Sequence, residues 1–246
     1  MTAMSSKLPR DPVQLCWFRQ SRTEYMAASL TSELCHWLIQ LGVRPDLLVR
    51  GTKVVADEVR HSAMCHELYL HAGGQPRQVP LDRRSLRHAD DPDADIADRA
   101  ITAAGELAVE ESIALPVFKT RLRNATDPLA REVVEIILKD EATHRGFAWD
   151  LLEELVRVRG VDHVREWCRP RLAFWLRIYL RARLEDEPVQ YSDAQLGMGL
   201  IQRGEHWRLM LACVSEVVIP RFQKLGVLEA DCDLNRLRDE LEAVVG

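Results

Sequence analysis

Two stretches decide how this chain folds: ADEVRHSAMC at residues 56–65 and KDEATHRGFAWDLLEEL at residues 139–155. Each carries Asp-Glu-x-x-His inside an apolar pattern of helical period. On a wheel of about 100° per residue, Ala130, Val133, Val134, Ile137, His144, Ala148, Leu151, Leu152 and Leu155 all fall within roughly 80° of Glu141. In the first stretch, Leu47, Val54, Cys65 and Leu68 share the face of Glu58 and His61. Both Glu/His pairs therefore point into a core. A buried carboxylate is costly unless a cation, a hydrogen-bond network or a shifted pKa relieves it. A third Glu-x-x-His, Glu33 and His36, serves as an internal control. It lies off the stripe formed by Ala27, Leu30, Leu34, Leu38 and Leu41, which predicts a solvated pair.

Working outward, the spacing predicts an all-α chain. Long helices are expected at about 21–41, 45–71, 96–123 and 128–159, with no convincing strand. Ser21 and Glu24 form an S-x-x-E start signal and Gly42 a stop. Asp127 and Pro128 read as an N-cap followed by a first-turn proline. Further helices are expected at about 161–184, 192–225 and 234–245. Two short-loop hairpins joined by a long polar crossover make a four-helix bundle. The expected organisation is an N-terminal segment at 1–20, the bundle at 21–159 and a C-terminal helical extension at 160–246, packed on the bundle. The extension reads as a cap over the site, a homodimer surface or additional core.

Acids on the first and third helices complete the constellation. Facing residues of an antiparallel hairpin lie equally far from the turn. Glu24 and Glu58 centre on Leu41, and Glu111 and Glu141 centre on Thr126, each at a turn. On the third helix Ala104, Leu107, Ala108, Leu115, Phe118 and Leu122 cluster around Glu111, while Glu106 and Glu110 lie round the wheel. The candidate set is Glu24, Glu58, His61, Glu111, Glu141 and His144. Four buried carboxylates require compensating charge, and two divalent cations supply it. Oxygen-rich donors with one imidazole per metal suit iron or manganese. Asp57 and Asp140 are candidates to orient the histidines, each expected to reach the histidine of the opposite hairpin. A metal-free polar lattice is the alternative, provided that every polar group is satisfied.

With one Glu from each of two helices and Glu-x-x-His from the other two, the chain resembles the ferritin-like di-iron carboxylate proteins over roughly residues 20–158. The resemblance implies a ferritin-like bundle holding two iron ions, or a manganese–iron pair. Glu58 and Glu141 would bridge the metals, and Glu24 and Glu111 would be terminal ligands. It implies an oxidase or oxygenase that activates O2 to oxidise a small organic substrate, with an external electron donor. Ferroxidase or peroxide-scavenging iron handling is the alternative within the superfamily, and a metal-free helical scaffold the alternative outside it. Cys65 and Ala148 stand where radical-generating relatives carry a tyrosine, and Leu115 where many hydroxylases carry a threonine. Ile137 stands where some N-oxygenases carry an extra histidine, which counts against that subgroup.

Composition narrows the partners. The chain has 246 residues, 47% hydrophobic and 29% charged, with a formal net charge of −5. No basic tract stands out, so nucleic acid has no electrostatic support, although residues 165–183 are locally Arg-rich. No apolar run approaches membrane-spanning length and no signal core opens the chain. Six scattered cysteines without a CxxC pair predict reduced thiols and a cytoplasmic location.

Overall fold

The computed structural model describes residues 8–76, 83–88, 93–177 and 190–245. The described residues contain helices and no strand. Helices α1 (Pro12–Gln40), α2 (Pro45–His71), α3 (Ile96–Asn124), α4 (Pro128–Arg159) and α5 (Val161–Trp175) are followed by α6 (Asp193–Gly197), α7 (Arg203–Cys213), α8 (Ile219–Lys224) and α9 (Leu234–Val245). A 3-10 turn at Arg83–Leu86 lies in the crossover, and a π-helical turn at Val214–Val218 joins α7 to α8. They fall into two compact units. The first groups residues 1–90, 121–140 and 191–200; the second groups 91–120, 141–190 and 201–246.

The first unit is built on the α1–α2 hairpin. The S-x-x-E signal at Ser21 does not start α1, a correction to the sequence expectation. Asp11 caps the helix by accepting from Gln14 N at 2.9 Å, with Pro12 at the first position. Asp-Pro is the stronger start because it fills an orphan amide and presets φ. Residues 12–20, expected in an N-terminal segment, are therefore helical, and Trp17 and Phe18 are core. At the other end Gly42 takes φ 67°, and Val43 N donates to Leu38 O at 3.1 Å, closing α1 in the left-handed manner that glycine favours.

Ser21 and Ser62 fix the hairpin register. Ser21 Oγ donates to Ser62 O at 2.8 Å and Ser62 Oγ to Ser21 O at 2.7 Å, two residues buried at matching distance from the Gly42 turn. Glu24 and Glu58 lie in nearly the same register one turn away. In the same unit the α3–α4 turn is capped by the α6 segment: Thr126 N and Asp127 N both donate to Gly197 O, at 2.9 and 3.0 Å. Asp127 accepts from Ala130 N at 3.0 Å, the N-cap expected before Pro128.

The second unit packs α3 against α4 and α5. Asp95 caps α3 by accepting from Ala97 N and Asp98 N at 2.7 and 2.9 Å. α3 runs unbroken through Pro116. Trp149 Nε1 donates to Ser112 Oγ at 2.9 Å, joining α4 to α3 in the core. At Gly105 a Cβ would stand 2.7 Å from the Trp175 ring and 2.9 Å from Cys168 Sγ, so only glycine admits that approach. Burial pushes the Cys168 thiol up to about 12. Arg169 holds Glu240 with two hydrogen bonds, 2.8 and 2.7 Å, tying α9 to α5.

The single helix expected at 192–225 is broken into α6, α7 and α8. Gly199 adopts φ 83° between α6 and α7. Pro220 has no N–H to donate, and the chain makes a π-helical turn just before it. The helix expected at 161–184 is seen to Trp175; its last residues, from 178, lie outside the described residues.

Candidate metal centre

Each unit gathers two glutamates and one histidine. In the first, α1 supplies Glu24, and α2 supplies Glu58 and His61 one turn apart. They are 4%, 2% and 0% exposed. One ligand atom from each lies within 4.8 Å of the others. In the second, α3 supplies Glu111, and α4 supplies Glu141 and His144. These are 5%, 2% and 1% exposed, and their ligand atoms again lie within 4.8 Å of one another. Of the three glutamates on α3, Glu110 is exposed and Glu106 is half-buried, with burial raising its carboxyl above the usual range. The control pair stays outside both groups. His36 is exposed on Gln40, and Glu33 accepts from His88 N at 2.9 Å, holding the crossover to α1.

The imidazoles are aimed. His61 Nε2 lies 3.1 Å from Asp140 Oδ2. Asp140 accepts, so Nε2 carries a proton, and in the neutral ring Nδ1 then presents its lone pair. Nδ1 faces Glu58 Oε2 at 3.7 Å, beyond hydrogen-bond length. His144 Nδ1 faces Glu111 Oε2 at 3.9 Å. A lone pair turned on a carboxylate in a buried space is repulsive, and a cation between them makes it attractive. Two carboxylates and one imidazole in each group fit a hard or borderline divalent metal such as iron or manganese. Cys65, one turn beyond His61, does not add a thiolate. Burial first, then the charge of Glu24, hold its thiol well above the usual range, with Arg121 the opposing influence.

Charged partners surround the first group. Arg60 Nη2 donates to Asp57 Oδ1 at 3.0 Å and to Asp140 Oδ2 at 2.5 Å. Lys53 also pairs with Asp57 and stands 3.9 Å from Asp140. Gln20 Nε2 donates to Glu24 Oε1 at 2.7 Å, and Arg121 Nη2 donates to Gln20 Oε1 at 3.2 Å. None of these four residues entered the sequence-derived set. Arg60 was readable, since it stands three residues after Asp57 within the motif. Gln20 gave the weaker signal of sharing Glu24's face one turn earlier.

The family model of the p-aminobenzoate N-oxygenase AurF matches residues 49–192, more than half of the chain. The chain belongs to the AurF family. This AurF-family protein is an oxidoreductase of a di-iron oxygenase family, with the all-α, ferritin-like fold expected from its motifs. Five of the six candidate residues lie in the matched range; Glu24 lies before it and stands on its burial beside Glu58 and His61. The family is named for an N-oxygenase, and in this chain Ile137 stands where some N-oxygenases carry an extra histidine. Ile137 is fully buried on α4, so this family member has a core isoleucine at that place. Among curated proteins and among solved structures, nothing matches. No helix among the described residues is long and apolar enough to cross a membrane.

Proposed function

We propose that the protein oxygenates a small organic substrate with O2 at a dinuclear iron centre held by Glu24, Glu58, His61, Glu111, Glu141 and His144. The observation that carries this reading is the repetition of one donor set, two carboxylates and one imidazole, in both units of an AurF-family chain. Two such sets would hold two metals, with Glu24, Glu58 and His61 offering donors in one unit and Glu111, Glu141 and His144 in the other. Bound iron would supply the reduction and activation of O2. The protein's own groups hold the donors in place. Asp140 keeps the His61 proton on Nε2, and burial of all six side chains excludes bulk water from the charged cluster. Electrons come from an external donor. Since the family is named for an arylamine N-oxygenase, an aromatic amine is the first substrate class to test. All six cysteines are free thiols, which supports a reducing, cytoplasmic setting.

The test is metal content after anaerobic Fe(II) loading and desalting, followed by O2 uptake and product analysis with p-aminobenzoate and related amines. About two irons per chain are expected, lost in Glu141→Ala with helical content intact. No retained metal would remove the enzymatic reading. Two irons with O2 consumed only in oxidising Fe(II), and no organic product from any amine or other small substrate, would favour iron handling instead.

A further inference from the structure

We propose that Gln20 and Arg121 are positioning residues that fix Glu24 as a one-oxygen donor to its metal, an inference that rests on Glu24 being a ligand. The basis is a chain of side chains within the first unit. Trp17 Nε1 donates to Met198 O at 3.0 Å. The Arg121 guanidinium lies over the Trp17 ring, 4.9 Å from its centroid, and donates to Gln20 Oε1 at 3.2 Å. Gln20 Nε2 then donates to Glu24 Oε1 at 2.7 Å. Gln20 precedes Glu24 by one helical turn, so α1 presents both to the same side.

The head groups dictate the direction of this chain. A guanidinium only donates and an ionised carboxylate only accepts; a primary amide does both. The Gln20 oxygen must therefore face Arg121 and its NH2 must face Glu24. The reversed amide would set donor against donor at one end and acceptor against acceptor at the other. Arg121 is 7% exposed and Glu24 4%, so neither group can readily exchange this partner for bulk water. With Oε1 engaged by Gln20, Oε2 is the stronger donor left to a metal shared with Glu58 and His61. The Arg121 charge, relayed through the amide, also offsets part of the negative charge that the first group concentrates. Neither an ionised carboxylate nor a cationic side chain at position 20 could play both parts.

That last point supplies the test. Gln20→Glu keeps an acceptor for Arg121, but once ionised, at a pH well above the carboxylate range, it cannot donate to Glu24. The probe is anaerobic Co(II) titration of the full chain, read by visible absorption, whose band intensity follows coordination number. Wild type is expected to take two Co(II). Gln20→Glu is expected to weaken one of them by about tenfold or more and to change its band, with a melting temperature near wild type. Should that variant not fold, Gln20→Leu/Arg121→Met removes both polar groups together, and the same loss is expected of it. Wild-type affinity and spectrum in the folded variant, while Glu24→Ala loses one Co(II), would overturn the positioning role alone. Retention of both ions by Glu24→Ala would overturn the ligand reading of Glu24, and the positioning role with it.

Discussion

The two Glu-x-x-His groups are near-identical in sequence, and the described contacts near them differ in kind. Around His61 the outer contacts are charged: Asp140 on Nε2, Arg60 across Asp57 and Asp140, and Lys53 beside them. In the second unit a described bond between α3 and α4 is that of one indole N–H on one hydroxyl, Trp149 to Ser112. Around it lie Phe222, with ring centroids 5.1 Å apart, and Cys213 Sγ, 3.1 Å from Ser112 O. Among the described contacts, those around His61 are charged, and those between Ser112, Trp149, Phe222 and Cys213 are packing and neutral hydrogen bonds. The two kinds of contact fail differently. A charged clamp loses ligand orientation when one charge goes, whereas a packed core loses stability first.

The largest expected effect is that of Glu141→Ala, which should abolish metal retention and O2-dependent turnover while circular dichroism stays helical. Full activity would remove the second group from the centre altogether. Next comes Asp140→Asn. It keeps the shape but weakens the charge-assisted bond to His61, and metal affinity should fall by about ten- to a hundredfold, measured by competition with a chelator. An unchanged affinity would show that the clamp does not orient His61.

In the second unit the readout should be stability. Gly105→Ala forces a methyl into the Trp175 ring and the Cys168 sulfur, and should cost about 1–3 kcal/mol in chemical denaturation, with metal stoichiometry unchanged. Trp149→Phe removes a single N–H from Ser112 and should cost about 1 kcal/mol, again with both metals kept. Loss of metal in either variant would break the contrast, because it would give the packed side a direct hold on the ligands.

Much of this was legible without coordinates. A residue's helical face follows from its position alone, so Glu58, His61, Glu141 and His144 announced their burial by the company they keep on the wheel. The Glu33–His36 pair could be set aside by the same test. The Asp127–Pro128 start was equally plain. The start at Asp11–Pro12 carries the same signal, but the S-x-x-E pattern at Ser21 masked it. Ser21 lies within α1 and bonds across the hairpin to Ser62, a use no local pattern distinguishes from a cap. The break at Gly199 and the π-helical turn before Pro220 were likewise hidden, because residues 192–225 keep helical periodicity across both.

By itself the sequence determined the helical class, the two Glu-x-x-His motifs and the burial of Glu111 among three glutamates, since each depends on periodicity along one helix. Tertiary structure decided the outer contacts. Arg121 meets Gln20 across 101 positions, and Asp140 meets His61 across 79. Such pairs depend on the register and rotation of separate helices, which many side chains set together. A local pattern can therefore say that a side chain is buried, but not which distant partner is waiting for it.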